Sequence, residues 1–147
     1  MADAFQHTNL PHLLLHARET LMVRFRPVLA EEGLSEQQWR VLRHLYDIDI
    51  LDAAGLASSC QVLAPSLTRM LRSLEAAGLI ERKPDPDDLR RQMISLSVNG
   101  RALVQKLSPK IEAIYQVLEQ RIGKDRLDHL YKEIHAMLAL LERAERD

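Results

Sequence analysis

LEAAGLIERKPDPDDLRRQMISLSVNG, Leu74 to Gly100, changes its hydrophobic period within a few residues. Its first part closes a helical pattern at Gly78. After that, LIERK and RQMISLS alternate apolar and polar side chains, the spacing of a strand. Between them PDPDDLR is built of turn formers, with Asp85, Asp87 and Asp88 leading to the adjacent Arg90 and Arg91. The spacing predicts a two-stranded hairpin with a long charged loop. A lone hairpin is marginal in water, so it must lean on its neighbours.

Two short helical patterns stand immediately upstream. APSLTRMLRSLEAAG has Pro65 at a first helical position and Gly78 as C-cap, although Ala64 makes a poor N-cap. AAGLASSC has Asp52 as its candidate N-cap and ends in a turn without glycine. Before them, SEQQWRVLRHLYDI opens on a Ser35/Gln38 capping-box pattern and carries Trp39, Leu42, Leu45 and Tyr46 on one face. The first segment, LPHLLLHARETLMVRFRPVLAEEGL, repeats apolar residues in steps of three and four. Pro11 suits its first turn, Pro27 predicts a kink or local break, and Gly33 ends it. Downstream of the hairpin, Ser97 can cap a helix with a stripe from Leu103 to Ile122 and an expected kink at Pro109. A last helix after Gly123 carries Leu127, Leu130, Tyr131, Ile134, Leu138 and Leu141.

Short helices joined by a tight turn and followed by a hairpin have the order of a winged helix-turn-helix. The expected fold class is therefore mainly α (α+β), with a two-stranded wing. At 147 residues the chain is long enough for one domain with its own core. Its 46% hydrophobic and 28% charged residues are those of an ordinary globular protein. No stretch approaches the roughly 20 apolar residues of a membrane span. The opening residues lack a signal peptide's basic start and apolar run, so the expected compartment is the cytoplasm. Twenty Lys and Arg stand against twenty-one Asp and Glu, so any anion-binding surface must be local.

Such a surface is visible in the second short helix. Leu67, Met70, Leu71 and Leu74 share one side of its wheel and are expected to pack inward. Opposite stand Pro65, Arg69 and Arg72, flanked by Ser66, Thr68 and Ser73, with no carboxylate before Glu75. Arginine can grip guanine edges bidentately, and hydroxyls can bond bases or phosphates. The plain alternative is an ordinary solvated helix face.

The hairpin bears on that choice. A wing needs a cation to enter the narrow minor groove, where the negative potential is enhanced. A guanidinium braced by a carboxylate loses less rotamer freedom on binding. Asp88, two residues before Arg90, is expected to bond its guanidinium across the turn, while Arg90 or Arg91 meets the duplex. Asp85 and Asp87 are expected to shape the turn. A merely solvated charged loop is the other reading.

These residues carry a resemblance to the MarR family of regulators. Leu74 to Arg82 follows its L-E-x-x-G-L-(I/V)-x-R pattern, Asp88 with Arg90 its D-x-R wing, and Ser95 to Gly100 its S-L-(S/T)-x-x-G. The chain departs from the pattern at Ala64, where a good cap is usual, and at Leu89 inside the wing. A second stretch, Ala17 to Arg43, resembles the regulators of homoprotocatechuate (4-hydroxyphenylacetate) degradation within that family, through A-R-E, F-R-P and GLSEQQWRVLR. The resemblance implies one MarR-type domain over residues 1–147, with residues 35–97 as the winged lobe. It further implies a homodimeric repressor that binds a double-stranded, pseudo-palindromic operator and loosens when a small phenolic acid binds. A regulator answering to an oxidant or a metal, or controlling efflux or stress genes, is the alternative.

The N-terminal helix and the last two, residues 10–33 and 98–146, are more apolar than a winged lobe alone can cover, which suits a dimer. An intramolecular bundle is the competing reading. A phenolic acid needs a cation for its carboxylate and polar groups for its ring hydroxyls. The first two helices offer His16, Arg18, Trp39 as a ring wall, and Arg40. Trp39 in the core and an Arg18–Glu19 ion pair are the structural readings of the same residues.

Other chemistries find little support. Cys60, the single cysteine, reads as a small buried thiol in the helix-turn-helix turn. Of the six histidines only His12 and His16 share a helical face, so no metal site is expected. There is no glycine-rich phosphate loop and no G-x-S-x-G, so neither an enzyme nor a cofactor is expected. A purely structural helical module would not need the basic hairpin.

Overall fold

The computed structural model describes residues 4–145. Helices α1 (Leu10–Glu31) and α2 (Glu36–Ile48) lead into strand β1 (Ile50–Asp52), α3 (Ala53–Ser59) and α4 (Ala64–Ala76). Strands β2 (Ile80–Pro84) and β3 (Gln92–Leu96) follow, then α5 (Val98–Ile122) and α6 (Lys124–Ala144). The chain forms two compact units, one ending at Lys110 and one beginning at Ile111.

In the first unit the expected hairpin is present, with β2 and β3 antiparallel and Arg82 opposite Ile94. A third strand joins it: β1 pairs with the other edge of β3, giving the order β1-β3-β2. The core gathers Val41, Leu42 and Leu45 of α2, Leu56 of α3, Leu67, Leu71 and Leu74 of α4, and Ile94 of β3, all essentially inaccessible. The hairpin thus leans on the short helices, as its marginal stability requires.

The ends of the elements follow their local chemistry. Ser35 and Gln38 close the capping box that begins α2. Asp52 Oδ1 accepts the Gly55 N–H at 2.9 Å and caps α3. Helix α1 runs through Pro27 without the expected break, and buried Phe25 and Leu29 flank that position. Burial on both sides offsets the hydrogen bond that proline cannot make. Helix α5 likewise continues through Pro109.

The motif halves on either side of the hairpin meet. Gly78 takes a left-handed φ of 74° after α4. Ser97 Oγ donates to the Gly78 carbonyl at 2.5 Å, and the Ser97 N–H donates to the Leu79 carbonyl at 3.0 Å. The same Ser97 hydroxyl accepts the Gly100 N–H at 3.0 Å, capping α5.

The second unit holds the rest of α5 and all of α6. Leu118 is buried, whereas Leu130, Tyr131, Leu138, Leu140 and Leu141 of α6 are exposed.

Candidate nucleic-acid interface and effector cavity

Helix α4 buries Leu67, Met70, Leu71 and Leu74, the four residues its period predicts. Its outer face exposes Pro65, Thr68, Arg69, Arg72 and Ser73, with Ser66 half-exposed. Among the described residues neither the Arg69 nor the Arg72 guanidinium has a protein partner. Thr68 differs from expectation: its hydroxyl donates to the Ala64 carbonyl at 3.0 Å, so toward a duplex it is an acceptor. Glu75, the first carboxylate on this helix, sits 3.0 Å from Arg82 Nε of β2, close but not aligned as a hydrogen bond. Its charge is thereby offset away from the two free guanidiniums.

The wing loop is shaped by its aspartates. Asp85 Oδ1 accepts the Asp87 N–H at 2.9 Å, and Asp88 Oδ1 accepts the Arg90 N–H at 3.0 Å. The Arg91 N–H closes the tip onto the Asp88 carbonyl at 2.9 Å, so Leu89 and Arg90 occupy the corners of the turn.

The expected brace is therefore relocated. Asp88 holds the backbone of Arg90, not its guanidinium. The braced arginine is Arg91, whose Nη2 and Nε lie 3.0 and 3.1 Å from Asp52 Oδ2, with Nη1 3.5 Å from Asp85 Oδ2. The Gly55 N–H first, and then the Arg91 guanidinium, hold the Asp52 carboxyl below its usual range against partial dehydration. Asp52 thus ties the wing to the start of α3 and caps that helix with its other oxygen. The Arg90 side chain has no partner among the described residues.

The turn between α3 and α4 is secured from α2. Gln61 adopts φ 55° without being glycine, a conformation that needs support. Arg40 Nη1 supplies it, donating to the Cys60 carbonyl at 2.7 Å and the Gln61 carbonyl at 3.3 Å. Beside this clamp lies a cavity of about 240 Å³ lined by Trp39, Arg40, Arg43, His44, Asp47, Ser59 and Cys60. Arg43 Nε pairs with Asp47 at 3.2 Å on its rim.

Of the predicted ligand residues, the cavity gathers Trp39, which is half-buried, and Arg40. His16 and Arg18 lie on α1 and do not line it. Arg18 instead joins Glu19 at 3.2 Å and Glu36 at 3.1 Å, while Arg26 reaches the same two carboxylates at 2.8 and 3.5 Å. Hydrogen bonding from Arg26 holds the Glu19 carboxyl below its usual range. His44, Asp47 and Ser59 were not singled out as ligand residues by sequence; the i, i+4 spacing of Arg43 and Asp47 was the available signal.

Cys60 is buried at the end of α3, with Sγ 3.9 Å from the Arg40 carbonyl oxygen. Burial pushes its thiol up, and Arg40 offsets this in part. The native thiol should react with an aromatic disulfide roughly a hundredfold more slowly than the urea-unfolded chain at pH 8. Equal rates would mean that the turn opens readily. Among the described residues no cluster of three His, Cys, Asp or Glu could hold a metal, and no helix is long and apolar enough to cross a membrane.

The pattern of the MarR family matches residues 34–91, which hold α2, the helix-turn-helix and the charged wing loop. The HTH-type transcriptional regulator FarR of Neisseria gonorrhoeae is 35% identical over 144 residues, covering 98% of each chain. The chain belongs to the MarR family. The homoprotocatechuate degradative operon repressor of Escherichia coli is also 35% identical, over 91% of this chain and 90% of its own. The crystal structure of NadR in complex with 4-hydroxyphenylacetate matches with a TM-score of 0.85 and 34% identity, over 95% of this chain and 98% of NadR. A MarR-family chain is a transcriptional regulator and not an enzyme.

Proposed function

We propose that this MarR-family regulator represses transcription as a homodimer on a pseudo-palindromic operator and is released by a small aromatic acid. The observation that carries the DNA reading is the distribution of unpaired guanidiniums. Arg69 and Arg72 stand on α4 and Arg90 at the wing tip, while Arg91 is spent on fixing the wing to α3. In this reading Pro65, Ser66, Thr68, Arg69, Arg72 and Ser73 face the major groove. Arg90 enters the minor groove, Asp88 shapes its turn, and Arg91 sets the wing's angle. A protein that neutralises phosphates loses affinity steeply with salt. The logarithm of the affinity for the chain's own upstream DNA should therefore fall linearly with log salt, and a flat response would remove this function.

Residues 35–97 form the DNA-binding lobe in this reading, and residues 10–33 and 98–146 the dimerisation segments. Exposed Leu10, Leu13 and Leu15 on α1, and Leu140 and Leu141 on α6, support that assignment, because large apolar side chains in water favour a covering partner. Two lobes related by a two-fold axis read two half-sites. Its place of work is the cytoplasm, where the DNA is.

An aromatic-acid effector is supported by the Trp39–Arg43 cavity and by the likeness to the homoprotocatechuate repressor and to NadR bound to 4-hydroxyphenylacetate. Trp39 offers a ring face, Arg43 a guanidinium for the carboxylate, and Ser59 and His44 groups for a ring hydroxyl. Arg40 links this cavity to the helix-turn-helix, since its guanidinium holds the carbonyls of the α3–α4 turn. A carboxylate seated on Arg43 that also draws the neighbouring Arg40 off the Cys60 and Gln61 carbonyls loosens the turn that sets α4. Hundredfold release needs about 2.7 kcal/mol of preference for the DNA-free state. In a thermal-shift panel of hydroxyphenylacetates and hydroxybenzoates, a ligand at a hundred times its Kd should add about 2.7 kcal/mol of stability. A flat panel at high millimolar concentration ends the aromatic-acid assignment and leaves the DNA reading standing.

A further inference from the structure

Leu63 breaks two local rules at once. It is the N-cap of α4, yet its side chain makes no capping hydrogen bond. It is also 79% exposed, although Val62 before it and Leu67 after it are buried. Serine, threonine or aspartate would stabilise the helix start, and a large aliphatic group gains nothing from water. Local choices that contradict their surroundings concentrate where a molecule does its work.

The backbone explains where the side chain goes. Leu63 is extended, with φ −64° and ψ 140°, so with Val62 turned inward its own side chain turns outward. Its carbonyl accepts the Leu67 N–H at 2.9 Å, which locks it one residue ahead of the helix. Ala64 and Pro65 are exposed too. The leading edge of α4 is thus an apolar step followed by the unpaired Arg69 and Arg72, with Glu75 already engaged by Arg82. Flanking cations make this a poor seat for an apolar protein partner. They suit a polyanion that presents an apolar group among its polar ones. On the major-groove floor of a duplex that group is the C5 methyl of thymine.

Resting on the reading that α4 enters the major groove, we propose that Leu63 is a specificity-determining residue that packs on one thymine methyl in each half-site. Duplexes are selected from a random-sequence pool with the full chain, and each thymine of the tightest one is then replaced singly by uracil. Uracil lacks the methyl and keeps every hydrogen-bonding group. At one thymine per half-site, wild-type affinity should fall roughly fourfold, the worth of one buried methyl. Leu63→Ser should bind both duplexes alike, and Leu63→Met should keep the preference. Leu63→Ser should also melt about 2–4 °C higher, because it gains a cap, which separates the lost preference from misfolding. Full thymine preference in Leu63→Ser, or no thymine whose methyl matters to the wild type, overturns the proposal and leaves the groove reading intact. A wild-type chain that selects no duplex overturns both.

Discussion

Gly100→Ala is expected to lower the stability of the winged unit by about 3 kcal/mol, read as a lower urea midpoint at unchanged slope. Helix propensity alone points the other way, since alanine inside a helix gains about 1 kcal/mol over glycine. The surroundings decide the sign. A Cβ at Gly100 would lie far inside contact distance of the Leu79 carbonyl oxygen and 3.3 Å from a Leu96 methyl. That oxygen is backbone, and it already accepts the Ser97 N–H at 3.0 Å. Ser97 is held in turn by the Gly78 carbonyl at 2.5 Å. Relief would therefore require moving α5 off the hairpin or breaking the joint that carries β3 into α5. Both outcomes disturb the β2–β3 pairing, in which Ile80 and Ile94 are buried. A raised midpoint would show that α5 can step back freely and that the joint is loose.

The same joint shows what a sequence can reveal. The hairpin was legible because both strands alternate over several residues and turn formers separate them, all within local reach. Strand β1 was not, because three residues carry no period; its extended state comes from pairing Leu51 with Ile94, more than forty positions away. The inward face of α4 followed from spacing, whereas its N-cap falls on Leu63, one residue before Ala64, in a stretch where no side chain signals the cap. Pro27 and Pro109 mark a local cost that tertiary burial offsets, and burial is not written in the local pattern.

Site residues divide along the same line. Arg69 and Arg72 could be placed on the outer face by counting turns of helix. The brace of the wing could not be found by proximity, since Asp88 is adjacent in sequence while the carboxylate that holds Arg91 is Asp52, thirty-nine residues back. Trp39 and Arg40 share a cavity because they ride on one helix opposite the α3–α4 turn. Arg18 pairs with Glu36, on the next helix, at 3.1 Å, a contact that no local spacing announces.

That division of labour between neighbouring arginines yields the other large expected effect. Arg90→Ala should weaken operator binding roughly tenfold per half-site, hence about a hundredfold for a dimer, and lower the log-log salt slope by about one per protomer. The oligomeric state and the melting temperature should be unchanged, because no protein group among the described residues depends on that side chain. Arg91→Ala should weaken binding too, by a different route. It removes the tie between the wing and α3, so the wing samples more orientations and the loss is entropic. Asp52→Asn separates the two tasks of that residue, since asparagine still caps α3 but lacks the charge that holds Arg91. It should reproduce much of the Arg91→Ala defect while leaving the Arg90 contribution to the salt slope in place. Acidification should do the same to the wild type. The Asp52 carboxyl is held below its usual range, so its contribution persists above the unfolded pKa and fades as pH falls through the lower folded value. If instead Arg90→Ala leaves affinity and salt slope untouched while Arg91→Ala abolishes both, the groove-entering arginine is Arg91. It must then let go of Asp52 and Asp85 on meeting the duplex, and Asp52→Asn would bind more tightly than the wild type because the ion pair no longer competes with DNA.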